Sequence, residues 1–216
     1  MSEPRANYDD KLERLLRTAA TVFAQKGYHS ASIRDISRAT GISLSGLYYY
    51  FRSKEELLFL IQDHCFTTVV EDLEARLRGV TDPSERLRLM VDNHLRFFAA
   101  NMDEMKVLSH EAASLSGEFR QRVNMRKKQY VERCEEIIAG LRPDGAPEER
   151  RVAAFSLFGM LNWIYTWYHP DRDMPVSDLV DVMTGIFLRG YPHAGQLDVR
   201  SSDATGPGAG PSIWRR

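Results

Sequence analysis

The sequence predicts an all-α protein. Apolar residues recur at intervals of three and four up to about Arg189, helix-capping signals punctuate the chain, and no stretch sustains period-two alternation. Leu12, Leu15, Leu16, Ala19, Val22 and Phe23 set the first helix, about Tyr8 to Lys26, and Gly27 stops it. Ser32 caps a short second helix carrying Ile33 and Ile36, which Gly41 terminates. Ser43 caps a third, from Leu44 to Tyr50. "SKEE" at Ser53 to Glu56 reads as a capping box. It opens a long fourth helix with Leu57, Ile61, Cys65, Val69, Leu73 and Leu77 at intervals of four. "DPSE" at Asp82 to Glu85 is a second box, with proline at the first helical position, and its helix runs to about Asn101. A shorter element near Asp103 to Ser114 follows, then helices over Gly117 to Leu141, Glu148 to Tyr168 and Val176 to Arg189. From His193 the chain turns Gly-, Pro- and Ser-rich and is expected to be disordered, Trp214, Arg215 and Arg216 included. The expected units are a head over 1–53, a body over 54–192 and a tail over 193–216.

Composition narrows the class. The 216 residues are 43% hydrophobic and 27% charged, ordinary for a water-soluble domain. Two unpaired cysteines, Cys65 and Cys134, imply a reducing compartment, and neither they nor the six histidines have metal-ligand spacing. No secretory signal or membrane-length apolar run is present, so the expected address is the cytoplasm, with no membrane partner and no cofactor. The net charge of −1 hides a split: residues 1–55 hold nine basic and six acidic side chains. A mildly basic head on an acidic body hints at a polyanion at one end.

The densest chemistry is "TGISLSGLYYYFRSKEEL", Thr40 to Leu57. Two short helices around Gly41 match a helix-turn-helix, whose second helix must be short and exposed to enter a major groove. A core stripe would space its aromatics at three or four, not place Tyr48, Tyr49, Tyr50 and Phe51 in a row. Gly46 removes a side chain where backbone would approach DNA. Tyr48 and Tyr50 offer hydroxyls at phosphate height, and Lys54 stands at a helix start that favours phosphate. Leu47 and Phe51 face inward.

"SIRDISRATGISLSGLYYYFRSKEEL" resembles the N-terminal signature of the TetR family of transcriptional regulators. The resemblance implies a homodimer on a palindromic double-stranded operator, with a divergent body that binds a small effector. Position by position, it implies that Arg34 reaches a base edge and that Ser43, Leu44, Ser45 and Gly46 open the recognition helix. Tyr48, Tyr50 and Lys54 would hold phosphates. Leu44 departs from the basic or polar residue of many members, so a thymine methyl or no base is expected there.

In the body, "FSLFGMLNWIYTWYHP" is apolar on every face and so must be buried on every face. Phe155, Phe158 and Asn162, with Leu179, Val182, Met183 and Ile186 of the last helix, are the expected dimer interface, a symmetric four-helix contact. Trp163 and Trp167 are expected at a ligand pocket, with His94 and Tyr130 on apolar helix faces. Arg122, Arg126 and Arg133 along one flank suit a phosphate or carboxylate, or else form a solvated edge that pairs locally with Glu132, Glu135 or Glu136. The segment also resembles TetR-family members responsive to acyl-coenzyme A thioesters, which implies an acyl-CoA effector that releases DNA. A hydrophobic drug-like effector of an efflux regulator is the alternative. An enzyme would need a positioned nucleophile or acid pair, and no such constellation is visible. A scaffold using the head for protein contacts would lack salt-dependent DNA binding. Helix four is expected to carry ligand-driven motion from body to head.

Overall fold

The structure, a computed structural model, describes residues 3–111 and 113–191. The expected tail from His193 lies outside the described residues. Helices α1 (Glu3–Lys26), α2 (Ile33–Thr40) and α3 (Leu44–Leu47) form the head. The others are α4 (Lys54–Leu77), α5 (Pro83–Ala100), α6 (Met102–His110), α7 (Gly117–Leu141), α8 (Pro147–Asn162) and α9 (Val176–Gly190), with one 3-10 turn at Trp163–Thr166. The all-α expectation holds: no strand occurs among the described residues.

Two elements are shorter than their periodicity suggested. α3 ends at Leu47, because Tyr48 to Tyr50 form a turn instead of continuing to Tyr50. Aromatic side chains lose rotamer freedom in a helix, and here they reach for other partners. Tyr50 stacks on Tyr8 at 5.3 Å, and Tyr49 meets both rings edge-on. α8 stops at Asn162 rather than Tyr168. The aromatic run Trp163–Thr166 tightens to a 3-10 turn, in which the Thr166 hydroxyl donates to the Trp163 carbonyl at 2.7 Å. Pro170 then disfavours helix at His169.

The caps also differ in detail. Ser32 and Asp35 form a complete capping box, with Ser32 N–H donating to Asp35 at 2.9 Å. At α4, Ser53 caps Glu56 N–H at 3.0 Å, but the Glu56 carboxylate reaches one residue further back, to Arg52 N–H at 2.6 Å.

Two apolar cores meet inside α4. The head core gathers Leu15, Phe23, Ile36, Leu47, Phe51 and, from α4, Leu57 to Ile61. The body core begins at Cys65 and runs through Val69, Leu73 and Leu77 against α5, α7, α8 and α9. One 24-residue helix, about 36 Å long, therefore belongs to both. α6 is the second bridge: it packs on α1, and Val107 enters the head core while Met105 and Leu108 enter the body core. Hydrogen bonds lock this seam. Tyr28 N–H donates to Glu111 at 3.2 Å, and Ser116 N–H and hydroxyl both donate to Glu55 at 2.7 Å.

Candidate nucleic-acid interface and ligand cavity

The head presents a four-residue helix by its ends. Gly41, in the left-handed region at φ 71°, turns the chain between α2 and α3. The Ser43 hydroxyl accepts from Gly46 N–H at 3.1 Å and sits 3.1 Å from the Ser45 hydroxyl. Leu47 is fully buried, so the opposite face looks outward, carrying Ser43, Leu44, Ser45 and Tyr48, the last 53% exposed. Arg34 is exposed on α2 and carries no salt bridge among the described residues. Gly46 has an internal reason for being glycine. A Cβ there would lie 2.9 Å from Ile42 Cγ2 and 3.2 Å from the capping Ser43 oxygen.

Lys54 is held inward. Its ammonium donates to the carbonyls of Tyr28 (2.9 Å), His29 (3.2 Å) and Ala31 (2.9 Å), and lies over the Tyr28 ring at 4.6 Å. These three acceptors use all three of its N–H groups. They offset the unfavourable placement of a cation at a helix N-terminus. Lys54→Met should therefore cost about 1–3 kcal/mol of stability, seen as a lowered Tm. The slope of log K against log salt for DNA should stay unchanged, whereas loss of a phosphate contact would reduce it by about one. A concavity between α1 and the helix-turn-helix is lined by Lys11, Arg14, Thr18, Thr40, Tyr49 and Tyr50, with no acid. Sequence reading passed over Lys11 and Arg14 because they lie on α1, away from the motif.

The body contains an apolar cavity of about 280 Å³. Phe66, Phe98, Met105, Leu108, Val131 and Phe158 supply its apolar wall, and Ser109, Lys127, Tyr130, His94 and Asn162 its polar groups. His94 and Tyr130 meet at this cavity: His94 Nδ1 and the Tyr130 hydroxyl are 3.1 Å apart, both residues buried. His94 Nε2 is closed off from solvent, and the Asn162 side chain is the polar neighbour that favours the protonated ring.

Burial pushes the His94 imidazole down from 6.5 to about 3, with the Asn162 side chain acting in the opposite direction. An unfolded chain binds a proton near pH 6.5 that the folded chain refuses until about pH 3. The stability from neutral His94 is complete above the upper value and drains away as pH falls toward the lower. His94→Leu should flatten that acid slope in a plot of Tm against pH.

Other expected pocket residues lie elsewhere. Trp163, 60% exposed, and Trp167 do not line the cavity. The arginine row already has partners. Arg122 covers the Phe59 ring at 4.5 Å, Arg126 pairs with Asp63 at 3.5 Å, and Arg133 pairs with Glu74 at 2.6 Å and with Glu136. These contacts tie α7 to α4. The cation on the cavity wall is Lys127, its ammonium 5.7 Å from the Phe66 ring centre and lacking an ion pair among the described residues. Burial pushes its pKa down. The signal was present in the sequence: Lys127 is four residues after Val123 and three before Tyr130, a charge on the apolar stripe.

Phe155, Phe158 and Asn162 share one face of α8, and that face borders the cavity. The expected stripe of α9 splits. Leu179 and Met183 are buried in the body core, while Val182 and Ile186 are 46% and 53% exposed. α9 lies on α5 and α8 on α7, leaving an apolar cleft of about 500 Å³ lined by Val152, Met160, Ile186, Phe187 and Tyr191. Among the described residues no His, Cys, Asp or Glu group could hold a metal, and no helix is long and apolar enough to cross a membrane.

Known proteins resemble this chain in sequence and fold. Residues 15–61 match the pattern of bacterial regulatory proteins of the tetR family, and residues 80–191 match the tetracyclin repressor-like C-terminal domain. The fatty acid metabolism regulator protein of Bacillus subtilis (strain 168) is 23% identical over 83% of this chain and 95% of its own length. The transcriptional repressor KstR2 of Mycobacterium tuberculosis is 25% identical over 84% of this chain and 92% of its own. AibR, solved with isovaleryl coenzyme A and operator DNA, is 30% identical, with a TM-score of 0.72 over 82% of this chain and 97% of AibR. With its head and its body each matching, this chain belongs to the TetR family and is a ligand-responsive, DNA-binding transcriptional regulator.

Proposed function

We propose that the chain is a repressor that binds a palindromic operator as a homodimer and is released from it by an acyl-CoA thioester. The observation that carries the reading is the double placement of α6. Met105, Leu108 and Ser109 border the cavity, while Val107 enters the head core and Glu111, just beyond the helix, accepts from Tyr28 of the head. A ligand that moves α6 must move or strain the head. Such coupling works only through unequal affinity for the DNA-bound and released forms, typically about 1–3 kcal/mol. The relatives named above support the chemistry: one regulates fatty acid metabolism, and AibR was solved with an acyl-CoA.

In this reading residues 1–53 contact DNA and 54–192 bind ligand and partner. Arg34 reads a base edge, Leu44 meets a thymine methyl, Ser43 and Ser45 lie beside the groove floor, and Tyr48 and Tyr50 contact phosphates. Val182 and Ile186 of α9 and Phe155 of α8, each about half exposed, meet their symmetry mates. Footprinting on palindromic fragments from upstream of the chain's own gene tests it. Two protected half-sites centred about 34 Å apart are expected, with protection lost on adding acyl-CoA. Protection indifferent to every thioester, or lost only with hydrophobic drugs, would remove the acyl-CoA reading.

A further inference from the structure

A partly buried cation on the cavity wall narrows the effector further, on the acyl-CoA reading just given. Arg126, Lys127 and Lys128 are consecutive on α7, yet they meet different neighbours. Arg126 pairs with Asp63 at 3.5 Å, and Lys128 pairs with Glu132 at 3.5 Å. Lys127, between them, has no hydrogen bond or salt bridge among the described residues.

Its register explains the difference. Tyr130 and Val131, three and four residues on, line the same cavity, so the lysine stem shares their face of α7. No Asp or Glu lines that cavity, and the two carboxylates near its neighbours are already held by Arg126 and Lys128. Burial pushes the Lys127 pKa down, the mark of a charge that has lost water without gaining a carboxylate. The Phe66 ring, 5.7 Å from the ammonium, gives a weak cation–π contact that does not replace a counter-ion. An anion brought in by a ligand does replace it, through a charge-assisted hydrogen bond in a largely apolar setting.

We propose that Lys127 recognises an anionic group of the effector, a phosphate or a carboxylate, while the effector's apolar part lies against Phe66, Phe98, Leu108 and Phe158. The effector class is an anionic amphiphile. On the acyl-CoA reading the anion is a phosphate of the coenzyme. An uncharged hydrophobic compound fills the apolar wall and leaves the lysine without a counter-ion.

Calorimetric titration of the full chain tests this with hexanoyl-CoA and decanoyl-CoA, their uncharged counterparts S-hexanoyl-pantetheine and S-decanoyl-pantetheine, and decanoate. The CoA thioesters should bind at least about tenfold tighter than the pantetheine thioesters. Lys127→Met keeps an unbranched apolar stem and should abolish that preference with no fall in Tm. It should weaken the CoA thioesters about tenfold and leave the pantetheine thioesters within about twofold of the parent. Lys127→Arg, which keeps the charge, should retain most of the preference. Pantetheine thioesters binding as tightly as CoA thioesters, or Lys127→Met changing both by the same factor or neither, overturns the inference and leaves the acyl-CoA reading standing. Decanoate bound through Lys127, with neither CoA thioester bound, upholds the inference and removes the acyl-CoA reading. No binding by any of these ligands overturns both.

Discussion

Replacing Ile186 with glutamate should yield a folded monomer that has lost tight operator binding. Ile186 and Val182 are about half exposed on α9, while its other face, Leu179, Met183 and Phe187, is buried in the body core. A carboxylate at an exposed position changes the isolated chain by within about 0.5 kcal/mol. In a symmetric apolar interface the same carboxylate would be buried twice, once from each chain. Two tethered heads gain about 10²–10⁴ in effective affinity over one. Sedimentation should therefore show a single chain in place of two, and operator affinity should fall at least about hundredfold, with the helical circular-dichroism signal unchanged. An Ile186→Glu protein that stays dimeric would place the interface elsewhere.

Leu47→Ala should have the second large effect, confined to the head. α3 is four residues long, too short to hold helical form from its own hydrogen bonds. What fixes it is Leu47, completely buried, together with Phe51 against α1 and α4. Removing the leucine side chain should cost about 2–5 kcal/mol, most of it in a small core that has little else to lose. DNA binding should collapse, while thioester binding in the body persists, because the cavity is lined from Phe66 onward. Equal loss of both activities would mean that the two cores unfold as one.

The fold was legible because helix periodicity and caps are local signals. Leu57 to Leu77 at intervals of four, Ser53 before α4 and Pro83 at the start of α5 each state their role within one turn. The start of α3 was equally legible, since Gly41 and Ser43 act on immediate neighbours, but its end at Leu47 was not, because Tyr49 and Tyr50 pack on Tyr8 of α1. The cavity was less so. His94 and Tyr130 were visible as polar groups on apolar faces, but their meeting depends on how α5 and α7 pack. The local partner of Arg133, Glu136, was within reach of sequence reading, but Asp63, Glu74 and the Phe59 ring, which engage Arg126, Arg133 and Arg122, lie on another helix about sixty positions away. Trp163 was assigned inward by extending α8 at 3.6 residues per turn, and the 3-10 turn at that point rotates it out. Lys54 looked like a phosphate contact for a similar reason: its three carbonyl partners come from the loop after α1.

The most direct measurement is fluorescence anisotropy of a labelled palindrome from the region upstream of the chain's own gene, titrated with protein at two salt concentrations, with and without hexanoyl-CoA. Two chains per duplex, a steep loss of affinity with salt and release by the thioester at least about fivefold beyond CoA alone are expected. Binding of one chain per duplex, or anisotropy unchanged by any thioester, would contradict the account.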